Sequence, residues 1–374
     1  MRPFDGLAVL LFGGLIGSGL AGCAAAIAPS VAPILPLHPS ECRAGEPAAD
    51  VTGESRLQHV RQLTFGGDHR APAWSTDGSR LLVTRRAEGA CDQVYAIDLG
   101  SGETLRLSPG AGQALGAAYL LDDRRAVYAS THAAGAACPP ATARGDTEAR
   151  LLPADSDLFA TTSGAEAATA LTETPGYDAE ATVCPVTGRI AFASLRDGDL
   201  EIYSMEPDGS DLVRLTDRPG EDRLPRFSPD GTRIALRSGA PQNEAEAGAY
   251  QSFLARSTVL PLHVEIAVMD REGGGYQRLT ANGGINTAPS FHPDCRRLVF
   301  ASNHADPSGR DFELVLLDPD NGAQETITAH RGYDGDAVFS PDGRYLAFVS
   351  DRYASAPGET NVFVAEWVET PPDP

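Results

Sequence analysis

Five short clusters carry the side chains best suited to polar chemistry: Asp68-His69, Tyr177-Asp178-Ala179-Glu180, Glu221-Asp222, Asn286 and Tyr333-Asp334-Gly335-Asp336. Carboxylates joined by an amide and by backbone carbonyls make an oxygen shell that suits a hard cation such as Ca²⁺, or the cationic end of a peptide. The candidate binding residues are therefore His69, Asp178, Glu180, Asp222, Asn286, Asp334 and Asp336; Ca²⁺ is a possible ligand, and no cofactor is required. Asp and Gly are also ordinary turn formers, and no DxDxDG calcium loop occurs, so Asp197-Gly198-Asp199 reads as a solvated hairpin. His69, His132, His304 and His330 could bind a transition metal or act as acid and base if they met, but single histidines scattered over loops do neither. There is no HExxH, GxSxG or CxxC motif, and no catalytic residue is assigned. Gly110, Gly112 and Gly116 form a glycine-rich loop without the strand-to-helix setting that phosphate binding needs.

Composition narrows the classes further. The chain has 374 residues with 51 acidic and 30 basic side chains, and every basic one is arginine. Without lysine there is no Schiff-base chemistry, no lysine-held pyridoxal phosphate and no Walker-type phosphate loop. A formal charge of −21 repels a phosphate backbone, so nucleic acid is not an expected partner. The 42% hydrophobic content suffices for a core, and 39 Gly with 28 Pro favour many short elements joined by turns over a helical bundle.

Internal repeats supply those elements. A Leu-Thr strand end recurs at Thr64, Ser108, Thr172, Thr216, Thr280 and Thr328, and a Ser-Pro-Asp-Gly-type turn recurs at 75–78, 121–124, 185–188, 228–231, 292–295 and 340–343. In that turn Pro presets φ, Asp bonds back to the backbone and Gly takes the left-handed position. Each copy holds four short strands, and radial stacking of such units is the way to bury both faces while leaving only short edges. The expected fold is an all-β, six-bladed propeller over 56–369, closed by pairing of the outer strand Leu57 to Thr64 with the final strand near Phe363. The clusters above then enter the inner strands at one mouth of the central channel. The second and fourth repeats carry insertions, His132 to Ser156 and Gly239 to Val264, between their second and third strands. Both should rise on the same face as a lid or docking ridge, the second with a short helix within Glu244 to Ser257.

Asp178-Ala179-Glu180-Ala181, Arg196-Asp197-Gly198-Asp199-Leu200-Glu201-Ile202-Tyr203, Asp208-Gly209-Ser210 and Phe227-Ser228-Pro229-Asp230-Gly231 resemble the TolB-type, WD-like propeller repeat of bacterial envelope proteins. The resemblance covers Leu57 to Glu369 and implies the fold; the repeat is shared by transport-system binding proteins, peptidase propeller domains and lyases, so it does not select a function. TolB carries an α/β domain before its propeller, where this chain has a Pro-rich linker, so that domain's partner contacts do not transfer.

The N-terminal region has a separate logic. Residues 1–22 have a signal-peptide layout ending at Leu20-Ala21-Gly22-Cys23, which resembles a bacterial lipobox with Cys23 as the lipidated residue. The apolar stretch of about 14 residues is shorter than the roughly 20 that span a bilayer. Ala24 after the cysteine points to the outer membrane, on the periplasmic side. Residues 23–55, rich in Ala and Pro, read as an extended tether, and 370–374 as a disordered tail. In an oxidising compartment Cys91 and Cys138 lie in neighbouring connections and could pair. Cys184 is expected buried, and Cys42 free. Cys295 occupies the turn-glycine position at a cost of roughly 1 kcal/mol, so Cys295→Gly is expected to raise the melting temperature.

These features favour a non-catalytic, monomeric envelope lipoprotein whose rim binds a protein or peptide partner. The alternatives are a metal-dependent propeller lyase or hydrolase acting on a polysaccharide or lactone through rim His and carboxylates, and the regulatory half of a peptidase.

Overall fold

Apolar runs of five to seven residues alternate with turns, and each repeat folds on that alternation into a four-stranded antiparallel sheet. The computed structural model describes residues 44–49, 51–87, 89–138, 149–162, 168–306 and 309–369. In chain order the inner strands are Asp68–Trp74, Ala114–Tyr119, Asp178–Val183, Glu221–Phe227, Asn286–Phe291 and Asp334–Phe339. Each lies against the next, and the sixth lies against the first, which closes six blades into a ring. Outer strands such as Val213–Arg214 and Gln277–Arg278 span only two residues, and such short edges offer little template for association.

Closure follows the expected route. Leu57–Gln62 pairs with Asn361–Trp367, with Gln62 opposite Phe363 and Leu57 opposite Trp367. The tether expected to reach residue 55 ends earlier than that. Glu46–Pro47 adds a fifth strand to the sixth blade, opposite Gln62 and Arg61, and Ala44 N–H donates to the Leu99 carbonyl at 3.0 Å. Glu54 is buried. An unperiodic, Pro-rich composition hid a segment whose order comes from backbone bonds to Leu57–Gln62 and to Leu99 of the adjoining blade rather than from its own pattern. The anchor position Cys23, the tether cysteine Cys42 and the tail 370–374 lie outside the described residues.

The recurring marker residues prove to be fasteners. In every blade the Thr or Ser hydroxyl after the outer strand accepts the N–H of the second residue of the third strand, for example Ile202 N–H to Thr216 and Val362 N–H to Thr64. The same hydroxyl bonds the side chain that opens the third strand: Gln93, Asp157, Glu201, Glu265, Glu313 or Asn361. The turn works as its chemistry requires, with Ser228 Oγ donating to Asp230 at 2.6 Å and Gly231 at φ +68°. Cys295 holds φ +61° at that position. The apolar core is a set of packings between neighbouring blades, such as Val83 and Ile97 against Val349 and Val362.

The insertions meet each other. Arg150–Leu151 pairs with Thr258–Val259, and Leu152 N–H donates to the Ser257 carbonyl at 2.6 Å, so segments of the second and fourth blades join across the third. The helix is present at Glu244–Leu254, capped by Asn243, with Tyr250 and Leu254 buried. Cys91 and Cys138 form a disulfide with Cα atoms 5.2 Å apart, and Cys184 is a free, buried thiol.

Candidate channel-mouth binding site

All six inner strands break register at one shared position. The break follows Arg70, Leu115, Ala179, Arg223, Thr287 and Gly335. The bulged residues Ala71, Gly116, Glu180, Leu224, Ala288 and Asp336 all have φ between 48° and 62°. Five of these are not glycine, a left-handed conformation that costs on the order of 1–2 kcal/mol each and is held by the surrounding ring. Bulges re-aim side chains. Here they turn Glu180 and Asp336 into the channel, where Glu180 Oε2 accepts Leu224 N–H at 2.9 Å and Asp336 Oδ2 accepts Ala71 N–H at 3.0 Å, each from the next blade.

The resulting cavity is about 290 Å³ and draws its lining from all six blades and from the insertion residue Arg150. Its position at the mouth follows from parallel bridges such as Ser156 to Tyr177, Leu200 to Glu221 and Phe312 to Tyr333, which set each entering loop beside the second-to-third connection of the preceding blade. The paired insertions therefore stand on the mouth side.

Of the seven expected residues, Glu180 and Asp336 line the cavity, and the others are buried fasteners. Asp178 is paired with Arg196 at 2.9 Å. Asn286 donates to Glu265 at 2.8 Å and accepts from Ser302 at 2.7 Å. His69 places Nδ1 3.0 Å from the Thr360 carbonyl. Asp334 meets Arg352, and burial pushes its carboxyl up to about 6 despite that partner. Asp222 is buried with little compensation, which raises its carboxyl to about 7. These residues are the first or second of their inner strands, and their side chains are taken up by partners in their own blade (Arg196, Arg352, Ser302) or the preceding one (Glu265, Thr360).

The histidines do not gather. His132 packs on Phe159 with centroids 4.2 Å apart, His304 Nδ1 lies 3.2 Å from Ser302 Oγ, and His330 Nε2 lies 3.3 Å from Asp351. Among the described residues no group of three or more His, Cys, Asp or Glu side chains could hold a metal ion.

Burial alone would raise the Glu180 carboxyl, but the adjoining Arg223 guanidinium and Leu224 N–H bring it down to about 2. Tyr177 Oη also donates to Glu180, at 3.0 Å. What the sequence reading missed is arginine: Arg70, Arg150, Arg226 and Arg310 all line the cavity. Arg226 had a legible signal. The other blades carry Ala73, Ala118, Thr182, Ser290 and Val338 at its register, so one long cation stands in a ring of small side chains.

No family model matches the chain. A TolB homolog from Chlorobium chlorochromatii is 31% identical over 136 residues, which is 30% of this chain and 31% of that protein. The chain thus spans about a third of the length of the curated relatives it matches first. Among solved structures, the putative TolB from Agrobacterium tumefaciens aligns with a TM-score of 0.54 at 20% identity, covering 81% of this chain and 91% of that one. A gluconolactonase from Xanthomonas campestris aligns at 0.52 with 15% identity, covering 87% and 95%. At these identities the structural likenesses bear on the fold alone.

Proposed function

Because this chain is a TolB-like β-propeller, distantly homologous to TolB proteins over part of its repeats, we propose that it is a non-catalytic envelope protein whose channel mouth binds a protein or peptide partner. One observation carries this reading. A preformed recess and a raised wall share a single face: the cavity opens beside two insertions that are strand-paired to each other, one of them pinned by Cys91–Cys138. A rigid concave site of this kind lowers the ordering cost of association.

Homology to TolB proteins supports a periplasmic envelope location. Attachment through a lipid on Cys23 belongs to the same proposal, and no helix among the described residues is long and apolar enough to cross a membrane. Replacing Cys23 by Ser then moves the protein from the membrane fraction to the soluble one.

The partner reading is tested by photocrosslinking in intact cells from two positions on opposite faces. Ser252 lies exposed on the ridge helix, and Val186 lies 52% exposed in a turn on the far side. A defined adduct from Ser252 that is missing from Val186 is the expected result. No adduct at Ser252, or the same adducts from both sites, would overturn it.

A further inference from the structure

The cavity holds arginine donors outside any ion pair, although the chain as a whole carries −21. Each carboxylate lining it already accepts from protein donors. Glu180 takes Tyr177, Arg223 and Leu224 N–H; Asp336 takes Ala71 N–H; Asp351 takes Tyr333 N–H at 2.9 Å. Glu359 takes Gly66 N–H, Ser355 and Asn361.

The arginines divide differently. Arg70 is paired with Asp68. The Arg150 side chain has no ion pair or hydrogen bond among the described residues, its backbone being paired to Val259, and the Arg226 side chain donates only to the adjacent Pro225 carbonyl at 3.3 Å. Burial lowers the Arg226 pKa from its ordinary value, and the fields of Asp336 and Glu180 offset this only in part. The Arg226 side chain is half-buried and no carboxylate hydrogen-bonds it, so its fork keeps donors to offer an incoming anion.

Resting on the partner-binding reading above, we propose that the channel mouth binds a carboxylate carried by the partner peptide, with Arg226 as the deep donor and Arg150 as the donor on the ridge. Arginine forks suit a planar carboxylate in two-point contact. The same cavity is also lined by Leu115, Tyr177, Leu224 and Phe312, which would cover the apolar part of a peptide residue. A singly charged group also meets the least repulsion from the acidic surface, which disfavours multiply charged phosphates. The carboxylate is either an acidic side chain or a chain terminus.

The test uses the mature protein with four peptides and inorganic phosphate, followed by calorimetric titration. N-acetyl-Ala-Glu-Ala amide presents a side-chain carboxylate, and N-acetyl-Ala-Ala-Ala with a free terminus presents a chain-end one. The Gln and Lys analogues of the first peptide are the controls, and inorganic phosphate is the competing anion. The expected result is that at least one carboxylate peptide binds tenfold or more tightly than either control. Its affinity should fall as salt rises from about 50 to about 300 mM. Arg226→Gln and Arg150→Gln should each weaken it at least tenfold without lowering the melting temperature.

Several results would overturn the proposal: equal binding of the Gln or Lys analogue, no binding of either carboxylate peptide at millimolar concentration, undiminished binding by Arg226→Gln, or phosphate binding more tightly than both peptides. Failure here is separable from failure of the broader reading. A partner that still crosslinks at Ser252 in the Arg226→Gln protein sinks the carboxylate site and leaves partner binding standing.

Discussion

Arg352 donates both of its terminal nitrogens to the Glu54 carboxylate, each at 3.0 Å, across 298 positions of sequence. The same guanidinium bonds Asp334 at 3.1 Å, and all three side chains are buried. Ring closure therefore has two layers: the backbone ladder of Leu57–Gln62 on Asn361–Trp367, and a buried charge cluster that ties the segment before that strand to the inner strand of the same blade.

Removing one member of that cluster leaves the others under-compensated. Glu54→Ala is expected to destabilise the protein by about 3 kcal/mol, toward the lower end for broken buried pairs because Arg352 keeps Asp334. Urea unfolding measures this, and a loss below about 0.5 kcal/mol would show that the contact is peripheral.

Stability should fall from mildly acidic to mildly alkaline pH. Burial raises Asp334 to about 6, and Asp222 and Glu313 to about 7. A carboxyl whose folded pKa lies above its unfolded one holds more protons when folded, so stability declines as pH rises from about 4 to about 7. Glu180 and Glu359 oppose this at the acid end, since both are lowered to about 2 and lose their contribution as pH drops from about 4.5 toward 2. Melting temperature should peak between these ranges, and Asp222→Asn should flatten its fall toward pH 8. A curve that rises from pH 5 to pH 8 would contradict the assignment.

Cys295 joins two opposing effects. Its φ of +61° makes glycine the better residue by about 1 kcal/mol, as its turn position suggests. It is also disulfide-bonded, with its partner outside the described residues, and losing a disulfide costs typically 2–4 kcal/mol. The expectation that Cys295→Gly raises the melting temperature is therefore corrected for oxidised protein, in which the variant should melt lower. In excess reductant the order should invert. Melts of both proteins with and without dithiothreitol decide the matter.

The Cys91–Cys138 bridge closes a separation of 47 residues. The chain-entropy estimate for such a loop is about 4 kcal/mol. The double Cys91→Ser, Cys138→Ser variant should melt lower, and its first insertion should become the earliest site of tryptic cleavage. Unchanged cleavage would mean that strand pairing alone holds the ridge.

Thr280 illustrates the fasteners. Its hydroxyl accepts Ile266 N–H at 2.9 Å and donates to the buried Glu265 at 2.5 Å. Thr280→Val keeps the shape and strands both partners, so a loss of about 2 kcal/mol is expected in equilibrium unfolding.

Much of the architecture was legible because it is written locally. The Leu-Thr marker, the Asp-Gly turn and the apolar third strand each record a short-range bond that recurs in every blade, and repetition made them visible. Pairing of Cys91 with Cys138 was legible for a related reason, since both sit in equivalent connections of adjacent repeats. The first residues of the inner strands misled. Asp178, Asn286 and Asp334 look like ligands in sequence, yet period-two alternation cannot say which neighbour a strand's opening side chain meets: Asp178 and Asp334 meet arginines of their own blade, and Asn286 meets Glu265 of the preceding one.

The amino-acid order by itself determined the number of blades, the turn that begins each second strand and the zipping of the two ends, because each depends on contacts within one repeat or on the phase of the repeat. Only the tertiary structure decided which charges are spent and which are left over. Bulges bring Glu180 and Asp336 to the cavity, where each accepts a backbone N–H of the next blade, while Arg226 and Arg150 line the same cavity without a side-chain ion pair. Charge balance at a shared axis is a sum over all six blades, and no single repeat carries it.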